Sequence, residues 1–154
     1  MKHLAQLNIA RLKHPRNDPR VADFFANLDR INAVGERMPG FVWRLKGESG
    51  DATGMPWPGD PDMTINLTVW ESIEALEKFV WQTVHTKVYA RKHEWFEKPA
   101  TPYLAMWWIE PGRIPTLEEA KERLDHLTLN GPSEFAFGWE SVPQAKLWRE
   151  ARCA

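Results

Sequence analysis

Three side chains with polar tips recur at steps of four: His85, Tyr89 and His93. On a helix that spacing turns all three toward one side. An imidazole accepts or donates a proton near neutral pH. His85 is therefore the candidate catalytic acid/base, suited to deprotonating a phenol or an enol. His93 lies about 12 Å further along a helix axis, so it and His85 cannot grip one metal ion. No carboxylate–histidine cluster has catalytic-zinc spacing, and no metal site is expected. His93 followed by Glu94 reads as a helix-end group.

The candidate ligand contacts come from other segments. Asn8 stands on an early strand, and Asn66, Thr68 and Trp70 share one face of a later one. Buried amides fix the orientation of a polar ligand. Arg44 has the planar fork that holds a carboxylate with two hydrogen bonds. Trp70, Phe79 and Tyr89 are the candidate aromatic walls. The chain carries no G-x-G-x-x-G, Walker or G-x-S-x-G motif, which argues against NAD, ATP and serine hydrolysis.

These residues need a scaffold. Residues 63–70 alternate Met63, Ile65, Leu67, Val69 against Thr64, Asn66, Thr68, Trp70, the period of a strand. Helical spacing takes over at Ile73 and runs through a helical pair to Trp95. Upstream, residues 4–11 form a first strand. Asp18-Pro19 starts a helix that carries Val21, Phe24, Phe25, Leu28, Ile31 and Val34 on one stripe. Met38-Pro39-Gly40 ends it. Residues 41–45 form a second strand, with Phe41, Trp43 and Leu45 on one face. Residues 47–61 read as a mobile connection or a lid whose Trp57 covers a ligand. Residues 103–109 form a fourth strand.

The order is βαββαβ, an α+β ferredoxin-like pattern with both helices on one face of a four-stranded antiparallel sheet. The other face is expected to be bare. Its apolar and aromatic residues predict that a second copy covers it, giving a homodimer. A further C-terminal helix runs from Thr116 to Asn130, with Thr116 and Glu119 as a capping box. Residues 134–139 add a short strand. The domain is expected over 1–139, with 140–154 an appendage in which Leu147 and Trp148 dock on a neighbour.

Composition sets the broad class. The chain has 154 residues, 43% apolar and 27% charged, which is globular. A net charge of −1 offers no field for nucleic acid or an anionic membrane. No apolar run is long enough to span a bilayer. The single cysteine, Cys153, excludes an internal disulfide and leads to an expected cytoplasmic location. Nine tryptophans suit either a Trp-built core or an aromatic cavity for a flat ligand.

Several stretches resemble a bacterial domain-of-unknown-function family within the dimeric α/β-barrel superfamily, which includes antibiotic-biosynthesis-monooxygenase-like proteins. They are AQLNIARLKHP (5–15), PGFVWRL (39–45), NLTVWES (66–72), HEWF (93–96) and LAMWWIEPGRIPTLEEAKERLDHL (104–127). The resemblance implies two monomers stacked sheet on sheet, and a ligand cavity in each between sheet and helices. Asn8 matches an asparagine that points into the cavity of heme-degrading relatives. Their tryptophan position falls at Phe79 here, and their heme-ligating histidine falls near Tyr89 or Ala90.

The expected function is a small-molecule enzyme of the cofactor-independent oxygenase or isomerase/cyclase kind, acting on an aromatic or polyketide-like compound. The expected cofactor is none. The alternative is a non-catalytic ligand- or heme-binding dimer, with Tyr89 as an iron ligand.

Overall fold

A computed structural model describes residues 1–47, 55–60, 62–143, 145 and 147. The elements, in order, are β1 (His3–Arg11), α1 (Ala22–Arg37), β2 (Phe41–Arg44), β3 (Met63–Trp70), α2 (Ile73–Gln82), α3 (Val84–Ala90), α4 (Lys92–Trp95), β4 (Leu104–Ile109) and α5 (Leu117–Asn130). The strands form one antiparallel sheet in the order β2-β3-β1-β4. This is the ferredoxin-like α+β fold with an added C-terminal helix. Among the described residues no helix is long and apolar enough to cross a membrane.

The starts of the elements follow local chemistry. The Asp18 carboxylate accepts the Arg20 backbone N–H at 2.8 Å, and Pro19 opens a short 3-10 turn into α1. Ser72 caps α2, and Thr116 caps α5 by accepting from the Glu119 N–H at 3.1 Å. Gly40 follows α1 at φ +88, a left-handed conformation that glycine adopts without strain.

The central pair β1–β3 sets the register of the site. Asn8 lies opposite Asn66, Gln6 opposite Thr68, and Leu4 opposite Trp70. These side chains share the sheet face that looks toward the helices α1, α2 and α3. The core on that side includes Ile31, Trp70, Ile73, Leu76, Phe79 and Met106.

The second sheet face is not bare. Ala5, Leu7, Leu67, Val69 and Trp107 are all buried in the single chain. They pack with Ala120, Leu124 and Leu127 of α5 and with Trp57. Helix α5 folds back across the sheet because its apolar stripe needs cover as much as the sheet does. A second copy is not needed to bury this face. Trp57, expected over a ligand, instead sits 7% exposed on the α5 side of the sheet, away from α1, α2 and α3. Residues 48–54 and 61 of the expected lid lie outside the described residues.

Other boundaries differ in detail. A register shift between Phe41 and Trp43 marks a bulge, which sends the two rings to opposite faces. The helical run after Trp70 breaks twice, at Thr83 and at Arg91. Residues 134–139 contribute one bridge, Phe137 to Met106, rather than a strand. Beyond Ser141, Val142 and Ala145 are buried in the helix-side core. The Leu147 N–H bonds at 3.0 Å to the buried Glu77 carboxylate of the same chain. Trp148 lies outside the described residues.

Candidate active site

A cavity of about 1050 Å³ lies between the sheet and the helices. Asn8, Arg44, Trp70, Phe79, His85 and Tyr89 all line it. They come from β1, β2, β3, α2 and α3, so only the tertiary fold brings them together.

The floor is a directional chain of hydrogen bonds. An indole N–H can only donate. Trp70 Nε1 donates to Thr68 Oγ1 at 3.0 Å, and that hydroxyl donates to Gln6 Oε1 at 3.0 Å. The Gln6 amide nitrogen then donates to Asn8 Oδ1 at 2.9 Å. Asn66 Nδ2 donates to the same oxygen at 2.8 Å. The Asn8 Nδ2 donor and the Asn66 Oδ1 acceptor have no partner among the described residues, and both residues line the cavity. The floor therefore presents one donor beside one acceptor, with orientations traced back to the indole.

The walls are aromatic. Phe79 stacks on Trp70 at 5.3 Å between centroids, and Phe41 meets the same indole edge-on at 5.4 Å. Gly35 of α1 allows this, since a Cβ there would lie 3.2 Å from the Phe79 ring.

His85 owes its position to the break after α2. Thr83 is extended, accepts the His85 N–H at 3.2 Å and donates to the Phe79 carbonyl at 2.6 Å. The Val80 carbonyl, left without a helical donor, accepts from Thr86 Oγ1 at 2.9 Å and from His85 Nδ1 at 3.2 Å. A carbonyl only accepts, so Nδ1 carries the hydrogen. Burial pushes the imidazole down from 6.5 to about 4, against the smaller opposite effect of the Val80 bond. The ring is neutral at pH 7, and Nε2 holds a lone pair. Nε2 has no partner among the described residues and is not among their buried unpaired atoms. The ring lies 5.0 Å from Phe79 and 6.2 Å from Tyr89, nearly parallel to the latter.

Tyr89 shares the His85 face, as the step of four implies, and its hydroxyl accepts from Lys92 Nζ at 2.7 Å. His93 falls beyond the Arg91 break. It also borders the cavity, and its carbonyl accepts from Lys13. Arg44 is engaged by Glu36 at 2.5 Å, and that bond holds the Glu36 carboxyl below its usual range. At the cavity edge Arg11 pairs with Asp60. Sequence reasoning passed over Gln6, Lys92 and Tyr103. Lys92 is three residues from Tyr89, a readable helix-face spacing. Burial, and next the neighbouring Tyr89 phenol, push the Tyr103 phenol above its ordinary range. Among the described residues no three His, Cys, Asp or Glu side chains gather as a metal site.

Residues 3–153 match the family described as Domain of unknown function (DUF3291). The chain belongs to that family. No curated protein matches the DUF3291 chain by sequence. Among solved structures it is similar to a protein of unknown function from Nitrosomonas europaea (TM-score 0.48, 14% identity, covering 75% of this chain and 97% of that one). It is also similar to SnoaB, a cofactor-independent oxygenase from Streptomyces nogalater (TM-score 0.47, 14% identity, covering 75% and 100%). PA3566 from Pseudomonas aeruginosa is a third (TM-score 0.47, 12% identity, covering 75% and 97%).

Proposed function

We propose that the large cavity is an acid–base site for a flat, polycyclic phenol or enolisable ketone, with His85 as proton acceptor. One observation carries this reading: the Val80 carbonyl fixes the tautomer and leaves the His85 Nε2 lone pair without a partner in an aromatic-walled cavity. A ligand hydroxyl or acidic C–H gives its proton to Nε2 and keeps the electron pair as an enolate. The enolate oxygen accepts from Asn8 Nδ2, and a neighbouring hydroxyl donates to Asn66 Oδ1. Trp70 and Phe79 hold the ring system flat, and Tyr89 closes the far side.

The enolate has three outcomes. Reprotonation at another carbon gives an isomer; attack of the enolate carbon on a carbonyl carbon of the same molecule closes a ring, and the resulting alkoxide takes the proton back from the imidazolium. Alternatively, its electron pair forms a C–O bond to dioxygen, and the peroxide takes the proton from the imidazolium. Loss of water from that hydroperoxide leaves a carbonyl, with one oxygen in the product and the other in water. All the electrons come from the substrate, so no reductant is required.

The test is a panel of polycyclic phenols and ketones, followed by oxygen uptake and by solvent exchange of the acidic C–H. His85→Ala should lower whichever reaction is found by about 10²-fold or more. Retained turnover in that variant removes His85 from the mechanism.

A second reading has support from the same histidine. A neutral imidazole whose Nδ1–H is held by a carbonyl is the form that ligates iron through Nε2. In that case the protein binds heme and His85, rather than the Lys92-bonded Tyr89, is the iron ligand. A Soret shift on hemin titration, lost in His85→Ala, would favour this reading over the first.

A further inference from the structure

A second chamber, of about 540 Å³, adjoins the first and is separate in character. Tyr89, Pro102 and Tyr103 border both. Trp81, Tyr89, Tyr103 and Trp139 line it, and its one charged lining residue is Glu140. The large cavity has the opposite balance: Arg11, Lys13, Arg44, Lys92 and Lys98 line it against Glu97.

Aromatic faces carry negative quadrupole charge and attract cations within about 6 Å, more strongly where water is excluded. Trp81 and Tyr89 already meet at a corner, 5.2 Å apart and nearly perpendicular. Tyr89 shows that a ring here accepts a cation, since the Lys92 ammonium already lies 3.9 Å from its centroid. Glu140 has no cationic partner among the described residues. Its carboxylate fills the space that a side chain at position 138 would take. A Cβ on Gly138 would lie 2.8 Å from Glu140 Oε2.

We propose that this second chamber binds an organic ammonium ion, through Trp81, Tyr103, Trp139 and the Glu140 carboxylate. The site is independent of the acid–base reading of the large cavity. The rings contact the alkyl groups around the nitrogen, and the carboxylate balances its charge.

The test uses the full chain and choline as the probe, followed by calorimetry and tryptophan fluorescence. Saturable binding is expected. The neutral isostere 3,3-dimethylbutan-1-ol should bind at least tenfold more weakly, because it has the same shape without the charge. Glu140→Gln should weaken choline by fivefold or more while leaving the melting temperature unchanged. His85→Ala, in the other cavity, should leave it unaffected. Absence of saturation, equal binding of the isostere, or unchanged binding in Glu140→Gln would overturn the proposal. So would loss of choline binding in His85→Ala alone.

Discussion

His85 Nδ1 donates to the carbonyl oxygen of Val80 at 3.2 Å, and that single bond decides which ring nitrogen faces the cavity. Val80 lies near the C-terminal end of α2, where carbonyls lack helical donors. The histidine therefore satisfies the end of one helix while standing on the first turn of the next. A structural requirement and a chemical one are met by the same side chain.

The depressed His85 pKa makes stability depend on pH with a definite sign. The folded group binds a proton near 4 and the unfolded one near 6.5. Between these values the unfolded chain takes up the proton and the folded one does not, so stability falls as pH drops from about 6.5 to about 4. The loss approaches ~3 kcal/mol below both values. Urea melts across this range should show His85→Gln lacking that part of the slope. Parallel slopes for the two proteins would show that His85 is not held neutral by the fold.

The hydrogen-bond chain under the cavity depends on the Thr68 hydroxyl. Thr68→Val keeps the shape and leaves the Trp70 indole N–H and Gln6 Oε1 without a partner. Each orphaned group costs about 1–3 kcal/mol. The expected total is roughly 2–6 kcal/mol by urea denaturation, together with weaker ligand binding as the Asn8 amide loses its fixed orientation. A loss below about 0.5 kcal/mol would mean that these groups find other partners.

Much of the scaffold was legible from the residues, for identifiable reasons. The alternation through Met63–Trp70 reports two unlike sheet faces, and Asp18-Pro19 and Thr116 state where helices start. The shared face of His85 and Tyr89 follows from their spacing alone. Three features were not legible. Thr83 ends α2 without any Gly or Pro, because its hydroxyl and that of Thr86 take the freed carbonyls instead. The bulge beside Val42 reverses the side-chain alternation that Phe41 and Trp43 suggest. The amphipathic pattern of α5 shows that it must dock, but not that it docks on the sheet face assigned to a second copy.

Two glycines with the same backbone sign should respond differently to a methyl group. Gly40 has φ +88, and a Cβ there would lie 2.5 Å from the Ala75 Cβ at the start of α2. Gly112 has φ +89 with nothing within 4 Å. Gly40→Ala combines left-handed strain with overpacking and should cost about 2–4 kcal/mol. Gly112→Ala carries only the strain, about 1–2 kcal/mol. Equal losses in denaturant melts would show that α2 yields to the methyl group.

The central claim is that His85 presents a bare Nε2 to the cavity at neutral pH. Histidine-selective ¹⁵N–¹H spectra of the labelled protein, recorded from pH 8 to pH 3.5, read both the tautomer and the proton uptake of that ring. The expected result is the Nδ1–H form throughout neutral pH, with protonation centred near 4. An Nε2–H form, or a midpoint near the ordinary 6.5, would contradict it.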